Sequence, residues 1–122
     1  MQKKILIIDD EPDVLKVLIY RLKAKGYDIL TATNGNDGIK AASEEKPNLV
    51  LLDYRLPDLS AEEVAEKIKY GTSGKVPIIL ITASSDRIED KAKECGAADF
   101  IAKPIDPQEL YTKIDKQLQV SY

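Results

Sequence analysis

Short apolar runs alternate with helical patterns five times along this chain of 122 residues. The runs at residues 5–8 and 49–52 are apolar at every position, which predicts strands buried on both faces of a parallel sheet. Residues 77–82 predict another central strand, residues 28–33 a less hydrophobic edge strand, and residues 99–102 a fifth strand. Five strand–helix units indicate a parallel sheet with helices on both faces and right-handed connections.

The segments between these strands carry the signals of amphipathic helices. Pro12 suits a first helical turn, and Gly26 ends the pattern that begins there. Asp106 and Glu109 predict a capping box at the last helix, and residues 71–74 predict a flexible connector. The predicted buried stripes are Val14, Leu18 and Leu22; Ile39 and Ala42; Val64 and Ile68; Ile88, Ala92 and Cys95; and Leu110, Ile114 and Leu118.

Composition and charge exclude several classes of protein. The formal net charge is −3 and there is no basic block, so we expect no direct binding to nucleic acid. No apolar run reaches the ~20 residues of a membrane span, and we expect no membrane association. A single cysteine, Cys95, cannot form an internal disulfide, which is typical of cytoplasmic proteins. The absence of histidine excludes a phosphohistidine or a histidine ligand on this chain.

Three aspartates follow two of the apolar runs. Asp9 and Asp10 end the first run, and Asp53 ends the third. If these strands are neighbours, three carboxylates meet in one crevice, where their mutual repulsion favours a bound cation. Oxygen ligands favour Mg²⁺ among the divalent ions. The flavodoxin-like strand order 2-1-3-4-5 places a ligand crevice between strands 1 and 3, so we predict that order in a doubly wound α/β fold.

Each polar residue at a strand end also has a structural interpretation. Asp9 and Asp10 would serve as helix caps, Asp53 as a turn residue, Thr82 as an ordinary strand end and Lys103 as part of a loop. Their shared location at the carboxyl ends of strands favours a functional interpretation instead. A carboxylate in such a cluster can attack phosphorus while a metal ion, an ammonium and a hydroxyl bind the phosphoryl oxygens.

The combination resembles the receiver domain of two-component response regulators over the whole chain. The residues that carry the resemblance are Asp9-Asp10, Asp53 with Pro57, Thr82-Ala83, and the run Asp99-Phe100-Ile101-Ala102-Lys103-Pro104. The resemblance implies a signalling switch, not an enzyme with outside substrates, that takes a phosphoryl group from a histidine kinase or a histidine phosphotransfer protein. It also implies an output domain or effector protein as a partner, and a phosphorylation-dependent dimer through the fourth helix, fifth strand and fifth helix.

The resemblance implies a role for each residue of the acidic cluster. Asp53 would be the phosphoacceptor, and it would also contact Mg²⁺. Asp10 would bind the metal directly and Asp9 through water. The backbone carbonyl of Arg55 would complete the protein's share of the metal shell.

Four further roles follow from the same resemblance. Lys103 would contact the phosphoryl group, and Thr82 would turn its hydroxyl onto it. Phe100 matches the aromatic position that reports the switch, and Ala83 matches a position that is kept small. Pro104 matches a proline that is often joined to the lysine by a cis bond.

Two features depart from the family pattern or vary within it. Ser60-Ala61 stands where Asp-Gly is common, so we expect a different start to the third helix. Arg55 and Ser84 each lie two residues beyond a site residue and are expected to set the lifetime of the phosphorylated state. We expect Arg55 to slow hydrolysis, because its guanidinium can pair with the phosphoryl oxygens.

Alternative functions fit the sequence less well. A haloacid-dehalogenase-type phosphatase places its nucleophile in an Asp-x-Asp motif, whereas Asp9 and Asp10 are adjacent. A flavodoxin would bind a flavin phosphate that three carboxylates repel. The main alternative is a receiver-like docking module that is not phosphorylated. We expect one receiver domain over residues 1–122 with no output domain, as a stand-alone regulator or as part of a longer protein.

Overall fold

The five apolar runs form one parallel sheet in a computed structural model that describes residues 2–119. Its strand order is 2-1-3-4-5, as predicted, with the less hydrophobic second strand at one edge. The elements are β1 (Lys4–Ile8), α1 (Pro12–Ala24), β2 (Asp28–Ala32), α2 (Gly35–Glu45), β3 (Leu49–Asp53), α3 (Ala61–Gly71), β4 (Ile78–Thr82), α4 (Ile88–Cys95), β5 (Asp99–Ala102) and α5 (Pro107–Leu118).

The core has two layers because residues on one strand alternate between the faces of the sheet. Helices α1 and α5 cover one face, and α2, α3 and α4 cover the other. The central strands are buried on both faces, which explains why their sequences are apolar without alternation. Most of the predicted stripe residues are buried, including Cys95, which belongs to the core as expected.

The helix starts follow the predicted capping signals with some differences. Asp106 accepts the Glu109 N–H at 3.0 Å, but the Glu109 carboxylate pairs with Lys113 at 3.0 Å, so only half of the capping box forms. Ser60 caps α3 by accepting the Glu63 N–H at 3.1 Å, which gives this helix an ordinary start despite the unusual sequence.

Several element boundaries differ from the prediction, and β1 begins one residue early, at Lys4. The segment predicted as a connector begins inside α3, which continues to Gly71 because Thr72 bonds back to the Ile68 carbonyl through its backbone and its hydroxyl. Strand β2 ends one residue early, at Ala32, and β4 begins one residue late, at Ile78. Among residues 2–119, every helix is too short or too polar to span a bilayer.

Candidate functional site

The three aspartates meet at the carboxyl edge of the sheet. Asp53 is the last residue of β3, and Asp9 directly follows β1, whose Ile8 is paired in register with Leu52. One carboxylate oxygen from each of Asp9, Asp10 and Asp53 can be chosen so that all three lie within 4.8 Å of one another. Neighbouring parallel strands therefore produce the cluster that the sequence predicted.

Asp9 contributes a buried acceptor that points into this cluster. Its side-chain Oδ1 accepts the Glu11 N–H at 2.9 Å. Its Oδ2 is buried and accepts no hydrogen bond from any residue between 2 and 119, although the Lys103 ammonium lies 3.2 Å away. Such an unsatisfied anionic oxygen beside two further carboxylates fits a hard divalent cation such as Mg²⁺.

The helix-cap interpretation of the acid pair does not describe this site well. The N-cap of α1 is Glu11, and no side chain caps the helix there. Asp9 bonds the backbone of that residue, but Asp10 is exposed at the rim of the crevice. The acid pair therefore makes one structural contact and leaves Asp9 Oδ2 and the Asp10 carboxylate available to a ligand.

Burial makes the Asp53 carboxylate a weaker acid. Asp53 is 4% exposed, and desolvation together with the nearby Asp9 charge raises its pKa to about 6. The Lys103 ammonium and the Arg55 backbone N–H act in the opposite direction and lower this pKa. Asp53 is thus ionised at pH 7 but at a cost in free energy, which a cation would relieve.

Lys103 supplies the positive charge of the site. Its ammonium lies 3.2 Å from Asp9 Oδ2, 3.5 Å from Asp53 Oδ1 and 2.6 Å from Glu11 Oε1. Burial lowers its pKa, but the Glu11 hydrogen bond and the two aspartate charges outweigh burial and raise it. The lysine precedes Pro104 through a cis peptide bond, as the resemblance implied. The contact with Glu11 was not predicted from the sequence.

Thr82 and Lys103 are fixed side by side by the sheet. Thr82 is the last residue of β4, 1% exposed, and its carbonyl accepts the Lys103 N–H at 2.8 Å. Its hydroxyl accepts the Ser84 N–H at 3.2 Å, and the Ser84 hydroxyl in turn accepts the Asp86 N–H at 3.3 Å. The sheet therefore places the Lys103 ammonium against Asp9 and Asp53, and Thr82 at the end of the neighbouring strand. The roles of these residues stay predictions.

A cavity of about 200 Å³ opens above the acid cluster. The residues that line this cavity lie at or just after the ends of β1, β3, β4 and β5. Arg55 lies at its rim with an exposed side chain, and Ser84 is not among the described residues that line it. The lining residues are Asp10, Glu11, Asp53, Arg55, Leu56, Pro57, Ala83 and Lys103.

The loop between β3 and α3 is anchored by a residue that the sequence analysis did not single out. The two carboxylate oxygens of Asp58 accept the N–H groups of Gly35 and Asn36, at 2.7 Å and 2.9 Å. These bonds at the N-terminus of α2 lower the pKa of Asp58. A backbone bridge between Arg55 and Ser60 closes the same loop. The Arg55 carbonyl therefore lies in a well-held segment.

Phe100 lies away from the acid cluster, on β5. Its ring is partly buried, and the Lys113 ammonium of α5 sits 4.9 Å from the ring centroid. The same ammonium donates to the Phe100 carbonyl at 2.5 Å and pairs with Asp99 at 3.4 Å. The aromatic side chain thus packs against the core layer that α4 covers and also meets Lys113 of α5.

Comparison with known proteins agrees with this geometry. A family model described as the response regulator receiver domain matches residues 5–115. The chain belongs to the response regulator receiver domains. Its signalling class, phosphorylation-dependent switching in two-component systems, follows from that membership.

Individual relatives align with nearly all of this receiver domain. The chain is 36% identical to the alkaline phosphatase synthesis transcriptional regulatory protein PhoP of Bacillus subtilis, and the alignment covers 99% of this chain but 50% of that protein. The chain therefore spans about half the length of that curated relative. The response regulator TrrA of Thermotoga maritima, solved in complex with Mg²⁺ and BeF, is 35% identical with a TM-score of 0.86, and 96% and 100% of the two chains are covered.

A second solved relative also contains a magnesium ion. It is the receiver domain of a sensor histidine kinase from Pseudomonas aeruginosa, with a magnesium ion coordinated in the active site cleft. Identity is 26% and the TM-score 0.89, and 98% and 99% of the two chains are covered. Two homologous receiver structures thus contain Mg²⁺, one of them in its active site cleft, and this receiver domain has an acidic cluster.

Proposed function

We propose that this receiver domain accepts a phosphoryl group onto Asp53, in a reaction that requires Mg²⁺. The donor would be a sensor histidine kinase or a histidine phosphotransfer protein. The observation that carries the proposal is the buried Asp53 carboxylate next to the Lys103 ammonium, with the unsatisfied Asp9 oxygen beside it. Such an arrangement suits a nucleophile that gains negative charge at a site of preorganised positive charge.

The acid cluster would hold the metal ion. Asp10 and Asp53 would bind Mg²⁺ directly, Asp9 through water, and the backbone carbonyl of Arg55 would add a neutral ligand from its anchored loop. When bound, the ion would offset charge on the transferring phosphoryl oxygens. The magnesium ions in the cleft of the Pseudomonas domain and in TrrA support this assignment.

Asp53 would act as the nucleophile. One of its carboxylate oxygens would form a bond to phosphorus while the bond from phosphorus to the donor's histidine nitrogen breaks, and the electron pair stays on that nitrogen. Lys103 would bind one phosphoryl oxygen through its ammonium, and the Thr82 hydroxyl would bind another. Ala83 lines the same cavity, and its small side chain leaves room for the phosphoryl group.

The output would pass through Thr82 and Phe100. Turning of the Thr82 hydroxyl toward the phosphoryl group would break its bond from the Ser84 N–H and change the packing next to β5. The Phe100 ring would follow and shift the face formed by α4, β5 and α5, which is a change of population between two packings. That face would regulate an output domain or effector protein, or form a phosphorylation-dependent dimer.

Acetyl phosphate with Mg²⁺ is expected to add one phosphoryl group to the chain, because a small donor needs no protein partner. The Asp53→Asn variant is expected to remain unmodified, since an amide is a poor nucleophile. Intact-mass spectrometry before and after chelation of Mg²⁺ measures both requirements, and Asp28→Asn, at an exposed carboxylate on β2, is a matched control. Equal phosphorylation of Asp53→Asn and wild type contradicts the assignment; no modification of wild type favours the docking module.

Replacing Arg55 by alanine is expected to shorten the lifetime of the phosphorylated chain. The exposed guanidinium at the cavity rim can pair with phosphoryl oxygens and obstruct the attacking water. A change of ~1.4 kcal/mol in the barrier corresponds to about tenfold in rate, and we expect an effect of up to this size. Decay of the phosphorylated form at saturating Mg²⁺ measures it, with Ser84→Ala tested alongside. Equal decay of Arg55→Ala and wild type shows that the arginine points away from the site.

A further inference from the structure

Glu11 makes the shortest contact of the site lysine. Its Oε1 lies 2.6 Å from the Lys103 ammonium, compared with 3.2 Å and 3.5 Å for the oxygens of Asp9 and Asp53. The Lys103 side chain is 12% exposed and that of Glu11 is 56% exposed. Glu11 therefore reaches from the surface over the mouth of the cavity, which it lines, to an ammonium that is mostly buried.

This contact uses the group that a phosphoryl oxygen would need. An ammonium has three donors, and here three carboxylates surround it. A phosphoryl group on Asp53 would bring further anionic oxygens into the same cavity of about 200 Å³. Of the three carboxylates around Lys103, that of Glu11 is the exposed one. It can therefore exchange the ammonium for water with the smallest cost in free energy.

The local backbone allows Glu11 to leave without disturbing its helix. Glu11 is the N-cap residue of α1, and its side chain makes no capping bond. Its backbone N–H is held by Asp9 Oδ1 at 2.9 Å, and its carbonyl accepts the Leu15 N–H at 3.1 Å. The side chain can therefore rotate toward solvent while the backbone bonds at this turn remain in place.

We propose that Glu11 is a competing carboxylate, which holds Lys103 in the unphosphorylated chain and must release it when Asp53 gains a phosphoryl group. The inference rests on the proposed function of Asp53 and assigns a positioning role to a residue outside the acid cluster. Breaking the ion pair between Glu11 and Lys103 costs free energy, and this cost opposes phosphorylation of Asp53. Glu11 thus sets how readily this site accepts a phosphoryl group and favours the unphosphorylated state.

Beryllofluoride, a phosphoryl analogue, tests the proposal on the full chain at saturating Mg²⁺. Titration followed by backbone NMR gives its dissociation constant for wild type, Glu11→Gln and Glu11→Asp. Glu11→Gln is expected to bind about fivefold more tightly, because a charge-assisted bond that is half exposed no longer has to break. Glu11→Asp keeps the charge but is one methylene shorter, so it is expected to bind more tightly than wild type as well.

Three comparisons separate the proposal from other causes. Asp13→Asn removes an exposed charge two residues away and is expected to bind beryllofluoride like wild type. The NMR signals of the Lys103 side chain, recorded before beryllofluoride is added, are expected to shift in Glu11→Gln but not in Asp13→Asn. Glu11→Asp binding like wild type, with Glu11→Gln tighter, would show plain charge repulsion and overturn the ion-pair exchange.

The remaining outcomes distinguish a failure of the Glu11 role from a failure of the proposed phosphorylation of Asp53. Equal affinities of wild type and Glu11→Gln would overturn the role of Glu11 while leaving phosphorylation of Asp53 in place. A wild-type chain that binds no beryllofluoride would overturn the proposed function itself.

Discussion

Asp53→Asn is expected to stabilise the folded chain by about 3 kcal/mol at pH 7 when Mg²⁺ is chelated. Burial and the Asp9 charge raise the pKa of Asp53 from 3.8 to about 6. One pKa unit corresponds to 1.36 kcal/mol, so ionising this carboxylate in the folded state costs about 3 kcal/mol more than in the unfolded chain. An asparagine of nearly the same shape carries no charge and removes that cost.

The direction of this stability change can be checked by varying the pH. Between about pH 4 and 6 the folded state binds more protons at Asp53 than the unfolded state, so this contribution to wild-type stability falls as pH rises. The difference between Asp53→Asn and wild type is therefore expected to be largest above pH 6 and small near pH 4. Urea denaturation at several pH values measures it, with Asp28→Asn as the control.

Added Mg²⁺ provides a second check on the Asp53→Asn prediction. A ligand that binds only the folded state raises its stability, so the melting temperature of wild type is expected to rise with Mg²⁺ concentration. The variant lacks one carboxylate of the cluster and is expected to respond less. If wild type is as stable as Asp53→Asn at pH 7 with Mg²⁺ chelated, ionisation of the Asp53 carboxylate does not destabilise the folded chain.

Lys103→Met is expected to have the opposite effect and to destabilise the chain by about 3 kcal/mol at pH 8. Methionine matches the lysine stem but lacks the ammonium that lies within 3.5 Å of Asp53 and 3.2 Å of Asp9. Removing one partner of a buried ion pair leaves an uncompensated buried charge, which typically costs several kcal/mol. The loss is expected to shrink at pH 5, where Asp53 takes up a proton.

A double variant isolates the cause of this loss. Asp53→Asn combined with Lys103→Met is expected to recover part of the lost stability, because the uncompensated carboxylate is gone. Lys40→Met, at an exposed lysine on α2, is the control for the loss of a surface charge. Unchanged stability of Lys103→Met at pH 8 would mean that the ammonium does not compensate the acid cluster.

The sequence predicted the fold from its apolar runs, and it predicted the positions of most site residues because they lie at the ends of those strands. The apolar runs located β1 and β3, and parallel neighbours necessarily bring Asp9 and Asp53 to one edge of the sheet. Contacts of long surface side chains carry no such signal. Glu11 and Asp58 reach residues 92 and 23 positions away, and only the packed structure determines that Glu11 bonds Lys103 and Asp58 bonds α2.

Element ends were less predictable for a related reason. The glycine and hydroxyl residues after α3 suggested a connector, but the Thr72 hydroxyl and backbone both bond the Ile68 carbonyl and extend the helix. Likewise, Glu109 met a nearby lysine and did not complete its capping box. In both cases a local preference competed with another bond, and the sequence alone does not show which of the two forms.

The two bonds from Asp58 to α2 divide the crevice into two walls of different character. One wall, built from β1, β3 and the Asp58-anchored loop, is tied to a helix on the side away from β5. The other wall carries Thr82 and Lys103 on β4 and after β5. If α4 and α5 form the output surface proposed above, their exposed positions can change without altering the two Asp58 bonds. Such a surface could diversify while the loop beside the acidic residues stays held.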